Sequence, residues 1–111
     1  MSSYSIAQHQ SAQPDTVVLR PDGPINTNVL SGFHAAMKAV TAKHIILDLS
    51  GIPHMDSAGL GAFLTLHAAL QKESRTLALT LPTKRVQMLI GLTKADTVLK
   101  LYPSIEAAEH R

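Results

Sequence analysis

Cysteine is absent from the 111-residue chain. That excludes a disulfide framework and thiolate chemistry. Aromatic residues make up only 4%, and the cations are scattered, with Lys84-Arg85 the one adjacent basic pair. Nucleic-acid surfaces use clustered cations, often interleaved with stacking aromatics, so no nucleic-acid partner is expected. No apolar run approaches the ~20 residues a bilayer span requires. Met1-Ser2-Ser3-Tyr4-Ser5 lacks the basic-then-apolar order of a secretory signal. The expectation is a cytoplasmic protein with no direct membrane insertion. The chain also lacks a G-x-x-x-x-G-K-[ST] phosphate loop and an H-E-x-x-H zinc motif.

What remains is an ordinary globular balance, 45% hydrophobic with a net charge of +2. The length fits one domain, residues 1–111, able to bury a core without staples. Residues 1–13 are polar, with Tyr4 and Ile6 alternating with polar neighbours, and read as an edge strand or a flexible segment. Thr16 to Arg20 is β-branched and strand-like, and Pro21-Asp22-Gly23-Pro24 ends it. Asn26 or Thr27 can cap a helix carrying Val29, Leu30, Phe33, Met37 and Val40 at helical spacing. His44 to Leu49 is a nearly continuous apolar run, as in a strand buried on both faces. Ser57 to about Gln71 is a second helix, apolar over more than the usual arc, with Leu60, Phe63, Leu64 and Leu70 on one stripe and Ala62, Leu66 and Ala69 on another. Lys72 to Arg75 is a charged turn. Leu77, Leu79 and Leu81 mark a further strand. Thr83 can cap a third helix, which Gly91 ends. Val98 to Leu101 is a last short strand, and Ser104 can cap a terminal helix. Strands that alternate with helices predict an α/β domain with a mostly parallel sheet of four to five strands, its helices packed against it.

The chemistry concentrates where the buried strand meets the second helix. Asp56 is a good N-cap, which makes Ser57 the first helical residue. A hydroxyl there sits at the positive end of the helix dipole, a favourable place for an added phosphate. Gly59 and Gly61 cost about 1 kcal/mol each in a helix, so close approach to the backbone is expected there. On these residues alone an ordinary cap is the better explanation of Asp-Ser. As a nucleophile, Ser57 would need a base, and His54 lies three residues before it. Met55-Asp56-Ser57-Ala58-Gly59, however, lacks the leading glycine of a G-x-S-x-G elbow. Leu64 stands where a third glycine would complete G-x-G-x-x-G. His67 falls on an apolar stripe and reads as a packing residue rather than a metal ligand. No metal site is expected.

Met55-Asp56-Ser57-Ala58-Gly59-Leu60-Gly61, entered from the apolar strand His44 to Leu49, resembles the signature of the STAS domain family, and of its bacterial anti-sigma factor antagonists in particular. The likeness runs from about Val17 to Ala108. Gly23-Pro24-Ile25-Asn26 stands where the family usually has Gly-Glu-Leu/Ile-Asp, so Asn26 removes a charge. Gly91-Leu92 stands where the family has Gly-Leu. The resemblance implies a STAS-like fold and a non-enzymatic role. Such antagonists bind an anti-sigma factor that is also a serine kinase of the GHKL type, and so release a sigma factor. The kinase uses ATP and Mg²⁺ to phosphorylate the serine matching Ser57, which ends binding. A PP2C-type phosphatase restores it. The antagonist itself then needs no cofactor. The implied partner-binding residues are Asn26, Asp56, Ser57, Ala58, Gly59, Leu60 and Gly61, with Leu66 on the second apolar side. The alternative is a STAS regulatory subunit of another complex, such as an ABC-type lipid transporter or a non-sigma signalling pathway.

Overall fold

The computed structural model describes residues 4–110; residues 1–3 of the N-terminal segment lie outside the described residues. Five strands form one sheet in sequence order: β1 (Ser5–Gln10), β2 (Thr16–Asp22), β3 (His44–Asp48), β4 (Thr76–Thr80) and β5 (Lys100–Tyr102). β1 is antiparallel to β2, and the remaining pairings are parallel. The connections carry α1 (Leu30–Lys38), α2 (Ser57–Lys72) and α3 (Lys84–Leu92), and α4 (Ile105–Glu109) closes the described chain. This is the mixed α/β architecture that the alternating pattern predicts.

Side chains of a strand alternate between faces. Val17, Leu19, Ile45, Leu47, Leu77 and Leu79 therefore meet α1, α2 and α3 through Phe33, Phe63, Val86 and Ile90 in one core. The rings of Phe33 and Phe63, 5.7 Å apart between centroids, join α1 to α2. On the other face Val18, Ile46 and Ala78 pack against Ala108 of α4. β3 is thus covered on both sides, as its unbroken apolar run predicts.

Several boundaries differ from the sequence reading: β3 ends at Asp48, with Leu49 already in a 3-10 turn, and β4 ends at Thr80, with Leu81 beyond it at φ 54°. β2 continues through Pro21 to Asp22. The proline is tolerated because pairing with β3 has already ended at Leu19↔Leu47. The turn follows at Gly23, whose φ of 106° suits glycine. α3 runs past Gly91 to Leu92, and Lys94 takes the left-handed conformation expected of the glycine, at φ 57°. A 3-10 turn over Ala95–Thr97 then delays β5 to Lys100.

Arg75, expected only as part of a charged turn, is structural. Its guanidinium donates to the Val40 carbonyl at 2.8 Å and the Ala42 carbonyl at 2.9 Å, and pairs with Glu73 at 2.8 Å. It ties the end of α2 to the loop that enters β3. Tyr4 does similar work at the other end of the sheet, where its hydroxyl donates to the Gly23 carbonyl at 2.6 Å. Burial, helped by the nearby Asp22 carboxylate, pushes the Tyr4 phenol up to about 12. The unfolded chain releases that proton near its ordinary value of about 10, so folding holds the proton more tightly. The contribution to stability is complete below about pH 10 and is lost as pH rises toward 12. Urea midpoints should fall across that interval, and Tyr4→Phe should flatten the fall.

Candidate functional site

β3 delivers the chain to the site through a tight turn. Asp48 Oδ1 accepts from the Ser50 backbone N–H at 2.9 Å and from the Ser50 hydroxyl at 2.6 Å. This nucleates a 3-10 turn over Leu49–Gly51, which buries Leu49, and Ile52 just beyond it is also fully enclosed. A Cβ on Gly51 would lie 2.6 Å from the Pro21 carbonyl oxygen, so only glycine lets the turn pass the end of β2. The Gly23 N–H then donates to the Gly51 carbonyl at 2.9 Å.

The loop from Ile52 to Asp56 is pinned on two sides. Ile25, wholly buried, forms a parallel bridge with Met55. Its N–H donates to the His54 carbonyl, and its carbonyl accepts from the Asp56 N–H, each at 3.3 Å. From the opposite side the Thr83 hydroxyl donates to the Ile52 carbonyl at 2.8 Å. Thr83 does precede α3 as expected, but its side chain makes no cap bond there; it serves the site loop instead.

Asp56 caps α2. Its backbone is extended, and Oδ1 accepts from the Gly59 N–H at 3.0 Å. Leu60 N–H makes the first helical bond, to the Asp56 carbonyl. The amides of Ser57 and Ala58 are left as the open donors of the first turn. Ser57 is exposed, and so is His54; no hydrogen bond joins them. The serine hydroxyl therefore stands in solvent at a helix start, with room around it and no base positioned on it.

The two glycines have separate reasons. At Gly59 a Cβ would meet the Ile25 carbonyl oxygen and Cγ2, both at 2.8 Å. The close approach expected there is made by the protein's own β2–α1 connection. At Gly61, half-buried, nothing lies within 4 Å of a built Cβ, so the close approach expected there is not made and the space beside the helix is open. Leu60 is buried and Ala58 is half-buried. Asn26 begins the first helical segment, its side chain accepting from the Asn28 N–H at 3.0 Å, and follows directly on Ile25. The fold thus brings Asn26, Asp56, Ser57, Ala58 and Gly61 to one end of the domain. Leu66 lies elsewhere. Nine residues are two and a half turns of helix, so it emerges opposite Ser57 and about 13 Å further along the axis. It lines a groove of about 440 Å³ between α1 and α2, with His34, Met37, Ala69 and Arg75. The sequence reading assigns Ile25 and Thr83 no role at this loop: Thr83 stands only as a helix cap, and Ile25 only inside the Gly23-Pro24-Ile25-Asn26 likeness, an isolated apolar residue between turn formers.

Residues 8–108 match the model of the STAS domain. A protein of Thermotoga maritima, provisionally named an anti-sigma factor antagonist, is 27% identical over 101 residues, covering 85% of this chain and 87% of its own length. The crystal structure of an anti-sigma factor antagonist from Mycobacterium paratuberculosis superposes with a TM-score of 0.79 at 23% identity, covering 94% of this chain and 91% of that one. The anti-sigma factor antagonist SpoIIAA in its unphosphorylated form gives 0.73 at 19% identity, over 97% and 95% of the two chains. SpoIIAA in its phosphorylated form gives 0.68 at 17% identity, over 97% and 98%. Among the described residues, no helix is long and apolar enough to cross a membrane.

The glycines make opposite predictions. Gly59→Ala should destabilise the fold by about 1–3 kcal/mol through overpacking against a backbone oxygen. Gly61→Ala should be neutral or stabilising by up to about 1 kcal/mol, the usual gain of alanine over glycine in a helix. Urea denaturation of the two variants checks both.

Proposed function

The chain belongs to the STAS domain family, and we propose that it is an anti-sigma factor antagonist switched off by phosphorylation of Ser57. The observation that carries this reading is an exposed serine at the first position of a capped helix, one turn before the open space at Gly61. The anti-sigma factor antagonist names of its relatives support the general role.

In this reading the docking face is the end of the domain built from Asn26, Asp56, Ser57, Ala58 and Gly61. The side chain of Leu60 is buried beneath it, and Gly59 lets α2 sit close to Ile25. Leu66 contributes only where a partner also reaches into the α1–α2 groove. The partner is an anti-sigma factor that is also a GHKL-type serine kinase; ATP and Mg²⁺ belong to that kinase. A PP2C-type phosphatase reverses the modification, and the circuit operates in the cytoplasm. The chain itself acts by binding rather than by catalysis.

Phosphate at Ser57 adds about −1.5 to −2 charges. The open amides of the first turn and the helix dipole accommodate this within the free protein, by roughly 0.3–1 kcal/mol. The modification therefore needs no refolding. Against a docked partner the same dianion is desolvated and repelled. A penalty of about 3 kcal/mol already weakens binding more than 100-fold.

Incubation with candidate kinases, ATP and Mg²⁺ should add one phosphate to the peptide that holds Ser57, read by mass spectrometry. Ser57→Ala should bind the anti-sigma factor constitutively. Ser57→Asp should bind it at least about tenfold more weakly, measured by calorimetry. Unchanged affinity in Ser57→Asp together with no phosphate on the wild type would overturn the switch.

A further inference from the structure

β1 is the long open edge of the sheet. Its sequence is Ser-Ile-Ala-Gln-His-Gln, and only Ile6 is not fully exposed. It pairs with β2 on one side and, among the described residues, with nothing on the other. Soluble proteins blunt such edges with charges, prolines, bulges or short strands. β1 has no Lys, Arg, Asp, Glu or Pro. Its register runs without a bulge from Ser5↔Asp22 to Gln10↔Val17. The opposite edge, β5, is only three residues long and carries Lys100.

The register fixes which groups point outward. Ser11, the residue after β1, donates its N–H inward to the Thr16 carbonyl at 3.1 Å. Backbone direction alternates along an antiparallel strand. Ser5, Ala7 and His9 therefore bond to β2, while Ile6, Gln8 and Gln10 turn their N–H and C=O groups outward. Pro21 agrees with this assignment. It stands opposite Ile6, where β1 asks nothing of its missing N–H.

The outward set is symmetric about Gln8. The geometry points to a homodimer in which two β1 strands pair antiparallel across a two-fold axis at Gln8, perpendicular to the sheet. Gln8 then meets Gln8 of the second copy, and Ile6 meets Gln10 of the second copy. These facing pairs exchange about six main-chain hydrogen bonds. A second copy is the occupant because the strand is its own complement: each outward donor finds an outward acceptor, and no like charges are opposed. The paired edge alone is smaller than the 1,200–2,000 Å² of a typical stable interface, so the dimer is reversible and concentration-dependent.

Sedimentation equilibrium from about 10 μM to about 1 mM should show a monomer–dimer exchange. Gln8→Lys sets two like charges face to face on the axis. It should weaken association at least about tenfold while leaving the melting curve of the monomer unchanged. In this cysteine-free chain, Gln8→Cys gives a register-sensitive second readout. Facing Cα atoms about 5.5 Å apart suit a disulfide, so mild oxidation should cross-link this variant faster than Ala7→Cys. A chain that stays monomeric over the whole range, a dimer indifferent to Gln8→Lys, or equal cross-linking of the two cysteine variants would each overturn the pairing.

Discussion

Two backbone hydrogen bonds from one residue hold the working end of this domain together. Ile25 bonds to His54 on one side and Asp56 on the other, and its side chain is completely enclosed. The connection leaving β2 thereby fixes the connection leaving β3. Without that bridge the segment from Ile52 to Asp56 would be held only at its start, by the Thr83 bond to Ile52, and the start of α2 would be less firmly placed over the sheet. Main-chain bonds set the position, so the side chains of His54 and Ser57 remain available to solvent while Asp56 caps α2.

The constraint also accounts for the choice of small residues nearby. Gly51 passes within contact of the Pro21 carbonyl, and Gly59 passes within contact of the Ile25 carbonyl. In both cases side-chain atoms lie there too, but one of the neighbours is a backbone oxygen, which cannot move aside as a flexible side chain can. Thr83 closes the arrangement from the β4–α3 connection. Two other connections of the sheet therefore converge on the short loop between β3 and α2. That convergence occurs at the carboxyl ends of parallel strands, where open α/β sheets commonly place their functional residues.

Much of this was readable in the residues. β3 announces itself by an apolar run that makes sense only with cover on both faces. Asp56 and Ser57 stand in the right order to cap and begin a helix, and the exposure of the serine follows from that order. Other features depend on distant partners and leave little local trace. Arg75 looks like one more charge in a turn, yet its guanidinium satisfies two carbonyls of the loop before β3. Lys94 adopts a left-handed conformation that composition would assign to Gly91. Thr83 looks like a helix cap and spends its hydroxyl elsewhere. Ile25 is a lone apolar residue among turn formers, so no periodicity marks it. The separation of Leu66 from Ser57 was legible, because nine residues of α-helix already place them on opposite sides.

Ser57 belongs to the first turn of a sixteen-residue helix, not to a supple loop. A modifying enzyme that needs an extended strand in its cleft would have to unwind that turn, breaking the Asp56 cap and the Ile25 bridge together. An enzyme acting here must instead read a finished three-dimensional surface. Short linear fragments of this chain would offer it neither the shape nor the oriented amides, so recognition belongs to the domain as a whole.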